Sequence, residues 1–406
     1  MDTNCLVGRI RPGVTVKLGL VALSLVLTAP CAALAQGKPV LKIGAVIAST
    51  GPASFLGIPE KNAVLLAEEA LKKRTDLPFM PEFVVYDDAS DPTRAVNNVR
   101  KLITEDKVTV VICCTTTPAS MAILETINSG GVPNISLASA AAVIEPASQR
   151  KWTFKTPPTD RLALERTLGY MKKKGYKKIA FFGLEDSYGE AGLVELKKLV
   201  PQSGVELVAI ERFARTDTNF TPQALRIRQA SPDAVYFHAI SPSATLAHQA
   251  LGRVGYKGPI FHSGGAANAG FLDVGKESVE GAIVNTGPVS VYGQLSASNP
   301  LRPVMTQFAA LYDAKYGAGK ADLFAGQGWD AVMLSIKAVE IALGAGANPA
   351  DPAGLRTKVR AAMETIRNYN GTMGVFNITP DDHLGLDNRS TVLVSAKGGK
   401  FVLLEE

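Results

Sequence analysis

The sequence predicts an α/β protein built as two doubly wound parallel-sheet lobes. Strand-like and helix-like segments alternate from residue 40 onward, which implies parallel sheets covered on both faces. The alternation pauses over residues 152–158, at Pro157-Pro158, and then restarts. Loss of a 35-residue leader would leave 371 of the 406 residues, more than one hydrophobic core usually organises.

In the first unit, residues 40–47 form an apolar run with β-branched residues, broken by Thr50-Gly51-Pro52. Residues 58–73 read as an amphipathic helix with Ala63, Leu66, Ala67 and Ala70 on one stripe. A strand at 83–86 follows, and Asp91-Pro92 then opens a helix with Asp as N-cap and Pro at the first position. Strand 108–112, helix 118–128 and strand 132–137 complete the unit. The second unit restarts with a helix from Arg161, strand 178–182, a helix from Gly189 and strand 205–210. Helix 222–229, strand 234–237, helix 244–254 and strands 259–262 and 282–285 continue it. Beyond Gly287 come three amphipathic helices, 301–316, 329–343 and 354–366, and then strands at 374–378 and 391–404. This order implies a chain that crosses between lobes more than once, with residues 39–157 plus 288–370 in lobe 1 and 158–287 plus 371–406 in lobe 2. Several hinge strands restrict motion to opening and closing.

The start of the chain reads as an export signal over residues 1–35. Arg9, Arg11 and Lys17 lead into an apolar stretch at 18–27, too short for a bilayer. Ala33-Leu34-Ala35 is a small-x-small cleavage site before Gln36. The mature protein is therefore expected in the periplasm, away from ATP and NAD. Pro30 before Cys31 fits a lipoprotein site poorly, and no second apolar run approaches membrane length. Removal of the leader changes the net charge from +6 to +4. The densest basic run, Lys172, Lys173, Lys174, Lys177 and Lys178, reads as a solvated helix end complementing the C-terminal dipole. It has no aromatic stacking platform, so no nucleic-acid partner is expected. Cys5 and Cys31 leave with the signal. Cys113 and Cys114 are expected as two buried thiols, because neighbouring cysteines bridge only through a strained small ring.

Much chemistry is absent. The loop after the first strand, residues 49–57, lacks the glycine spacing of a dinucleotide fold, and Pro52 removes an amide donor. No phosphate loop ending in Gly-Lys-Ser/Thr occurs. His238, His248, His262 and His383 have no metal-ligand spacing, so neither metal nor cofactor is expected. Ser263 invites a hydrolase reading, but no Gly-x-Ser-x-Gly elbow surrounds it, and a loop lining a cleft is the simpler one.

The loops after strand ends are small and hydroxyl-rich. Thr115-Thr116-Thr117-Pro118-Ala119-Ser120 follows one strand, and Ala138-Ser139-Ala140 follows the next. In open α/β sheets, ligands lie beyond the carboxyl ends of strands. Helix N-termini there favour negative charge, and Thr117 and Ser120 can add hydroxyl donors. These residues suggest a carboxylate clamp without arginine, although they serve equally as helix caps. The far lobe offers Tyr188, which could instead be a core residue, together with His238, Ile240, and the segment from His262 through Gly264.

At this point the chain resembles the periplasmic leucine/isoleucine/valine-binding protein family. The resemblance covers nearly all of the mature chain. It rests on Ile43-Gly44 with Thr50-Gly51-Pro52 and Gly57, on residues 87–92, on Ser187-Tyr188-Gly189-Glu190, and on Gly255-Tyr256 leading to Ser263-Gly264-Gly265. It implies a type I periplasmic binding protein fold with a three-crossover hinge, no catalytic activity, and a role as solute receptor of an ABC importer. By the same resemblance Thr117 sits at the carboxylate-binding hydroxyl, and Ala138 and Ala140 on the second clamp loop. Tyr188 sits at the ligand-touching tyrosine, and Leu56 and Phe324 in the side-chain pocket.

Departures from the family matter for the ligand. Gly264 stands where amino-acid receptors carry a glutamate for the ligand ammonium, and an unpaired buried ammonium is costly. Ala140 replaces a threonine. Ser90 and Thr116 take the places of two cysteines that some members bridge. Gly264, Gly265, Ala266 and Ala267 leave room for a ring, and Glu145-Pro146 with residues 150–156 is similar to the subset that binds aromatic acids. The expected ligand is an aromatic carboxylate of the benzoate, phenylpropenoate or aromatic keto-acid type. The alternative is a branched-chain or other hydrophobic amino acid. The receptor is expected to be a monomer that docks on inner-membrane permease subunits. An extracellular sensor module, which would continue into a membrane helix, and a secreted hydrolase using Ser263 are the remaining classes.

Overall fold

The computed structural model describes residues 37–405, so the export signal and its cleavage site lie outside the described residues. Strands β1 (Val40–Ile47), β2 (Met80–Asp87), β3 (Val110–Cys113), β4 (Asn134–Ser136) and β5 (Thr153–Lys155) form a wholly parallel sheet in the order β2-β1-β3-β4-β5. Helices α1 (Ser54–Lys72), α2 (Pro92–Thr104), α3 (Thr117–Ala122) and α4 (Leu124–Gly130) connect these strands. The helix expected over 118–128 is therefore broken at Ile123.

The second lobe repeats the plan. Its sheet holds β6 (Lys178–Leu184), β7 (Glu206–Phe213), β8 (Ala234–His238), β9 (Ile260–His262) and β10 (Ile283–Thr286), all parallel. Helices α5 (Asp160–Lys173), α6 (Ser187–Ser203), α7 (Thr221–Gln229), α8 (Ser243–Arg253) and α9 (Ala269–Gly275) accompany these strands. Next come α10 (Arg302–Tyr316), α11 (Leu323–Gly344) and α12 (Pro352–Met363), a short antiparallel pair β11 (Tyr369–Asn370) and β12 (Val375–Phe376), and β13 (Val392–Lys397) with β14 (Lys400–Glu405). The last two strands add antiparallel to β10, giving the order β14-β13-β10-β9-β8-β6-β7. The strand expected over 391–404 is thus a hairpin, folded at Gly398-Gly399, whose φ angles of 57° and 72° suit glycine. Helix α11 begins six residues before the start expected at Trp329, because the Asp322 side chain caps it at Ala325 N. Among the described residues, no helix is long and apolar enough to cross a membrane.

Each sheet meets its first following helix by close backbone approach. A Cβ at Gly57 in α1 would fall 2.0 Å from the carbonyl oxygen of Ala48, and one at Gly189 in α6 would fall 1.8 Å from that of Leu184. Only glycine allows these first turns to sit so tightly against the strand ends.

The chain passes between the sheets three times: after β5, after β10, and between β12 and β13. Helix α11 ties two of these passages together. Thr156 on the first donates to Gln327 O at 3.1 Å, and Thr372 on the third donates to Gly326 O at 3.0 Å. The buried Asp330 carboxylate accepts from the backbone N–H groups of Thr372 and Met373, at 2.9 and 2.8 Å.

One expectation is corrected. Cys113 and Cys114 are not free thiols; they are bonded to each other. The peptide between them is cis and their Cα atoms stand 3.0 Å apart, whereas a trans peptide would hold them about 3.8 Å apart.

Two outcomes are expected. Asp330→Ala should lower unfolding free energy in urea by about 3 kcal/mol, since two buried N–H groups lose their acceptor; a change below about 0.5 kcal/mol would remove this role. Protein lacking the first 35 residues, denatured without reductant, should show no reactive thiol. Two titratable thiols would disprove the bridge.

Candidate ligand-binding site

The carboxyl ends of both sheets face one cavity of about 680 Å³, its open mouth included. From lobe 1 it receives the loop after β3 (Thr115, Thr116, Thr117), the loop after β4 (Leu137, Ala138, Ser139) and Leu56 of α1. From lobe 2 it receives Tyr188, His238, Ile240 and the Ser263-Gly264-Gly265 segment. The passages between lobes contribute Pro157 through Asp160 and Asn285 through Gly287, and α11 contributes Leu323, Phe324 and Gln327. The lobes touch beside it. A methyl at Gly270 would fall 2.5 Å from the Phe55 ring, and Arg161 bridges Glu145 at 2.9 Å and Glu195 at 3.0 Å.

The lobe 1 loops are knitted from behind. Ser120 Oγ accepts from Cys114 N at 3.2 Å and lies 2.9 Å from Ser136 Oγ, which accepts from Ala138 N at 3.1 Å. These hydrogen bonds tie the two loops to each other. Thr115 Oγ1 accepts from Ala48 N and donates to Glu60 at 2.5 Å. Burial holds the Glu60 carboxyl well above the usual range, against the pull of that hydroxyl. Thr116 caps α3 through Ala119 N and also lines the cavity.

The opposite wall is polar and buried. The Tyr188 hydroxyl donates to Ser263 Oγ at 2.9 Å, and burial raises its pKa. Ser263 Oγ in turn donates to Ala239 O at 3.3 Å. His238 packs on the Tyr188 ring, and its Nδ1 is 3.0 Å from the Tyr236 hydroxyl. Its Nε2 stands 3.5 Å from Asp160 Oδ1. Burial lowers the pKa of His238, with Asp160 opposing. Arg215 also reaches the cavity, but Asp186 engages it at 2.5 Å. Four buried atoms on cavity-lining residues have no hydrogen-bond partner among the described residues: Thr117 Oγ1, Asp160 Oδ2, His238 Nε2 and Gln327 Oε1. Left unmet, each such atom costs about 1–3 kcal/mol.

Of the residues singled out from the sequence, Leu56, Thr116, Thr117, Ala138, Ser139, Tyr188, His238, Ile240, Gly264 and Phe324 line this cavity. Three do not. Ser120 lies beneath the loops, its hydroxyl spent on Cys114 and Ser136. Ala140 is buried at the start of a 3-10 turn. His262 points away, since neighbours on a strand alternate sides. Its Nε2 is 2.9 Å from His248 Nδ1, and its ring stacks on Phe237.

Sequence reasoning missed Asp160 and Gln327. Asp160 reads as an acid in a helix first turn, which the dipole alone would explain. Its signal is position: it directly follows Pro157-Pro158-Thr159 on a passage between lobes. An acid does therefore stand in the cavity, contrary to the expectation drawn from Gly264.

Comparison with known proteins agrees with the fold. The chain is 25% identical over 248 residues to the leucine-, isoleucine-, valine-, threonine- and alanine-binding protein of Pseudomonas aeruginosa, matching 60% of this chain and 65% of that protein's length. An extracellular ligand-binding receptor from Rhodopseudomonas palustris superposes with a TM-score of 0.85 at 33% identity, covering 91% of this chain and all of that one. A solute-binding protein of an ABC transporter from R. palustris, solved with benzoate, shares the fold with a TM-score of 0.74 at 23% identity, over 90% of this chain and 96% of that one. The model of the periplasmic binding protein family matches residues 40–400, and the chain belongs to that family.

Proposed function

We propose that this protein is the periplasmic solute receptor of an ABC importer, and that it closes around a small carboxylate, with an aromatic acid as ligand. The carrying observation is the cavity itself. Four unpartnered buried polar atoms stand among apolar walls from Leu56, Leu137, Ile240, Leu323 and Phe324. Such a site takes a flat or compact apolar body with a few fixed polar groups. Hydroxyls of Thr116 and Thr117 and the small Ala138-Ser139 loop suit a carboxylate. At Gly264 the wall has no side chain, so it holds no acid where the amino-acid receptors of the resembled family carry theirs. Ligand would bind the closed arrangement better than the open one and shift the population toward it. The closed form would then dock on membrane permease subunits.

The fold does not choose the ligand, since by their descriptions one relative binds amino acids and one neighbour holds benzoate. One observation favours a second reading, a hydrophobic amino acid. Asp160 Oδ2 is buried in the cavity without a partner and could receive an ammonium.

Calorimetric titration with benzoate, phenylpropenoate, phenylpyruvate and leucine separates the two. At least one aromatic acid is expected to bind at about 1 μM or tighter, and leucine not to bind. Thr117→Val should weaken that binding about tenfold by removing a buried hydroxyl. Tight leucine binding that Asp160→Asn abolishes, with no response to aromatic acids, would establish the amino-acid reading instead.

A further inference from the structure

Lys155 ends β5, where the chain leaves lobe 1, and none of its surface is exposed. An ammonium carries three donors. Here one protein acceptor meets it: the carbonyl oxygen of Ser139, a residue that lines the cavity. No carboxylate among the described residues comes within the 4.0 Å of an ion pair with it. Asp160 and Glu145 act on it only from farther away. Both already have cationic or polar company, Glu145 with Arg161 at 2.9 Å and Asp160 beside His238 at 3.5 Å. The His383 carbonyl accepts from the Lys155 backbone, while the His383 ring is occupied by Thr153 O and Glu364. A buried ammonium without a paired carboxylate is costly, and the cavity lies just beyond Ser139.

Given the carboxylate reading above, on which this rests, we infer that Lys155 is the positioning charge behind the clamp that selects an anion, and that it takes up a proton from the buffer when the anion binds. Burial lowers its pKa to about 7, with Asp160 and Glu145 pulling the other way. Above that pH the free protein holds Lys155 mostly neutral. A carboxylate entering the cavity favours the charged form, so binding and proton uptake are linked. The sign follows: affinity for an anion is greatest below the free pKa and falls as pH rises through it. His238 also faces the cavity, but its pKa lies below its ordinary value, so its own uptake would appear on the acid side of this window.

The test is calorimetric titration of the mature protein with phenylpropenoate in buffers of different ionisation enthalpy. Uptake of about half a proton or more is expected near pH 8, with the share owed to Lys155 shrinking toward zero near pH 6. Lys155→Arg fixes the charge and should bind without uptake near pH 8, where His238 is neutral with or without ligand. Lys155→Met should lose about tenfold or more in affinity at pH 6 while binding of the neutral phenylpropenamide is unchanged. A thermal melt checks that each variant folds; if Lys155→Met does not, the wild-type and arginine measurements decide. Binding of phenylpropenoate without uptake near pH 8, or uptake near pH 8 that persists in Lys155→Arg, overturns the role of Lys155 and leaves the carboxylate reading standing. Failure of benzoate, phenylpropenoate and phenylpyruvate alike to bind overturns both.

Discussion

The first two turns of α11 are the constraint on which the rest of this protein depends. The carbonyls of Gly326 and Gln327 each take a threonine hydroxyl from a different inter-lobe passage, and Asp330 holds two backbone amides of the same passage as Thr372. Glycine makes this possible. A side chain at Gly326 would fall 2.7 Å from the Thr372 hydroxyl, and one at Gly328 would fall 2.7 Å from the Glu60 carbonyl. The same turns present Leu323, Phe324 and Gln327 to the cavity. The contacts to the inter-lobe passages and one wall of the cavity are thus on one piece of helix.

Behind the cavity, polar groups join the lobe 1 loops to one another. Ser120 and Ser136 join the loop after β3 to the loop after β4, and Thr115 joins the first of these to Glu60 in α1. With the underlying hydroxyls satisfied internally, those left unsatisfied, such as Thr117 Oγ1, stand out as surfaces for something else. This division between supporting and facing hydroxyls is what the sequence could not display, because Thr116, Thr117 and Ser120 are chemically similar and differ only in which way they point.

Much of the architecture was legible because it rests on local patterns. The β1 strand, the Asp91-Pro92 helix start and the alternation through both lobes all follow from periodicity and capping. What failed was decided by tertiary context. The hairpin of β13 and β14 hides in a single apolar-rich run because its turn is only two glycines. His262 looks as available as His238, yet strand alternation turns it into the lobe 2 core against His248. Asp160 was not singled out at all, since only the folded chain shows that α5 begins in the cavity. Cys113 and Cys114 were expected as thiols because a bridge between neighbours closes a strained small ring, and the folded chain joins them all the same.

If the protein closes around a ligand as proposed above, the unpartnered atoms also bear on why it would wait for one. When the lobes part, bulk water can reach Thr117, Asp160, His238 and Gln327. When they shut without a ligand, each atom left unmet costs about 1–3 kcal/mol. Summed over four atoms, this is comparable to the roughly 5.5 kcal/mol that separates a population mostly open from one mostly closed. Opposing it are the inter-lobe contacts, Phe55 on Gly270 and Arg161 between Glu145 and Glu195, which involve no ligand atom. Those contacts are partly solvent-exposed ion pairs and a single ring, worth little individually. A ligand that meets the four atoms removes the penalty only in the closed arrangement. Its differential affinity therefore arises from the lining of the cavity, and the contacts between lobes set the baseline from which it works.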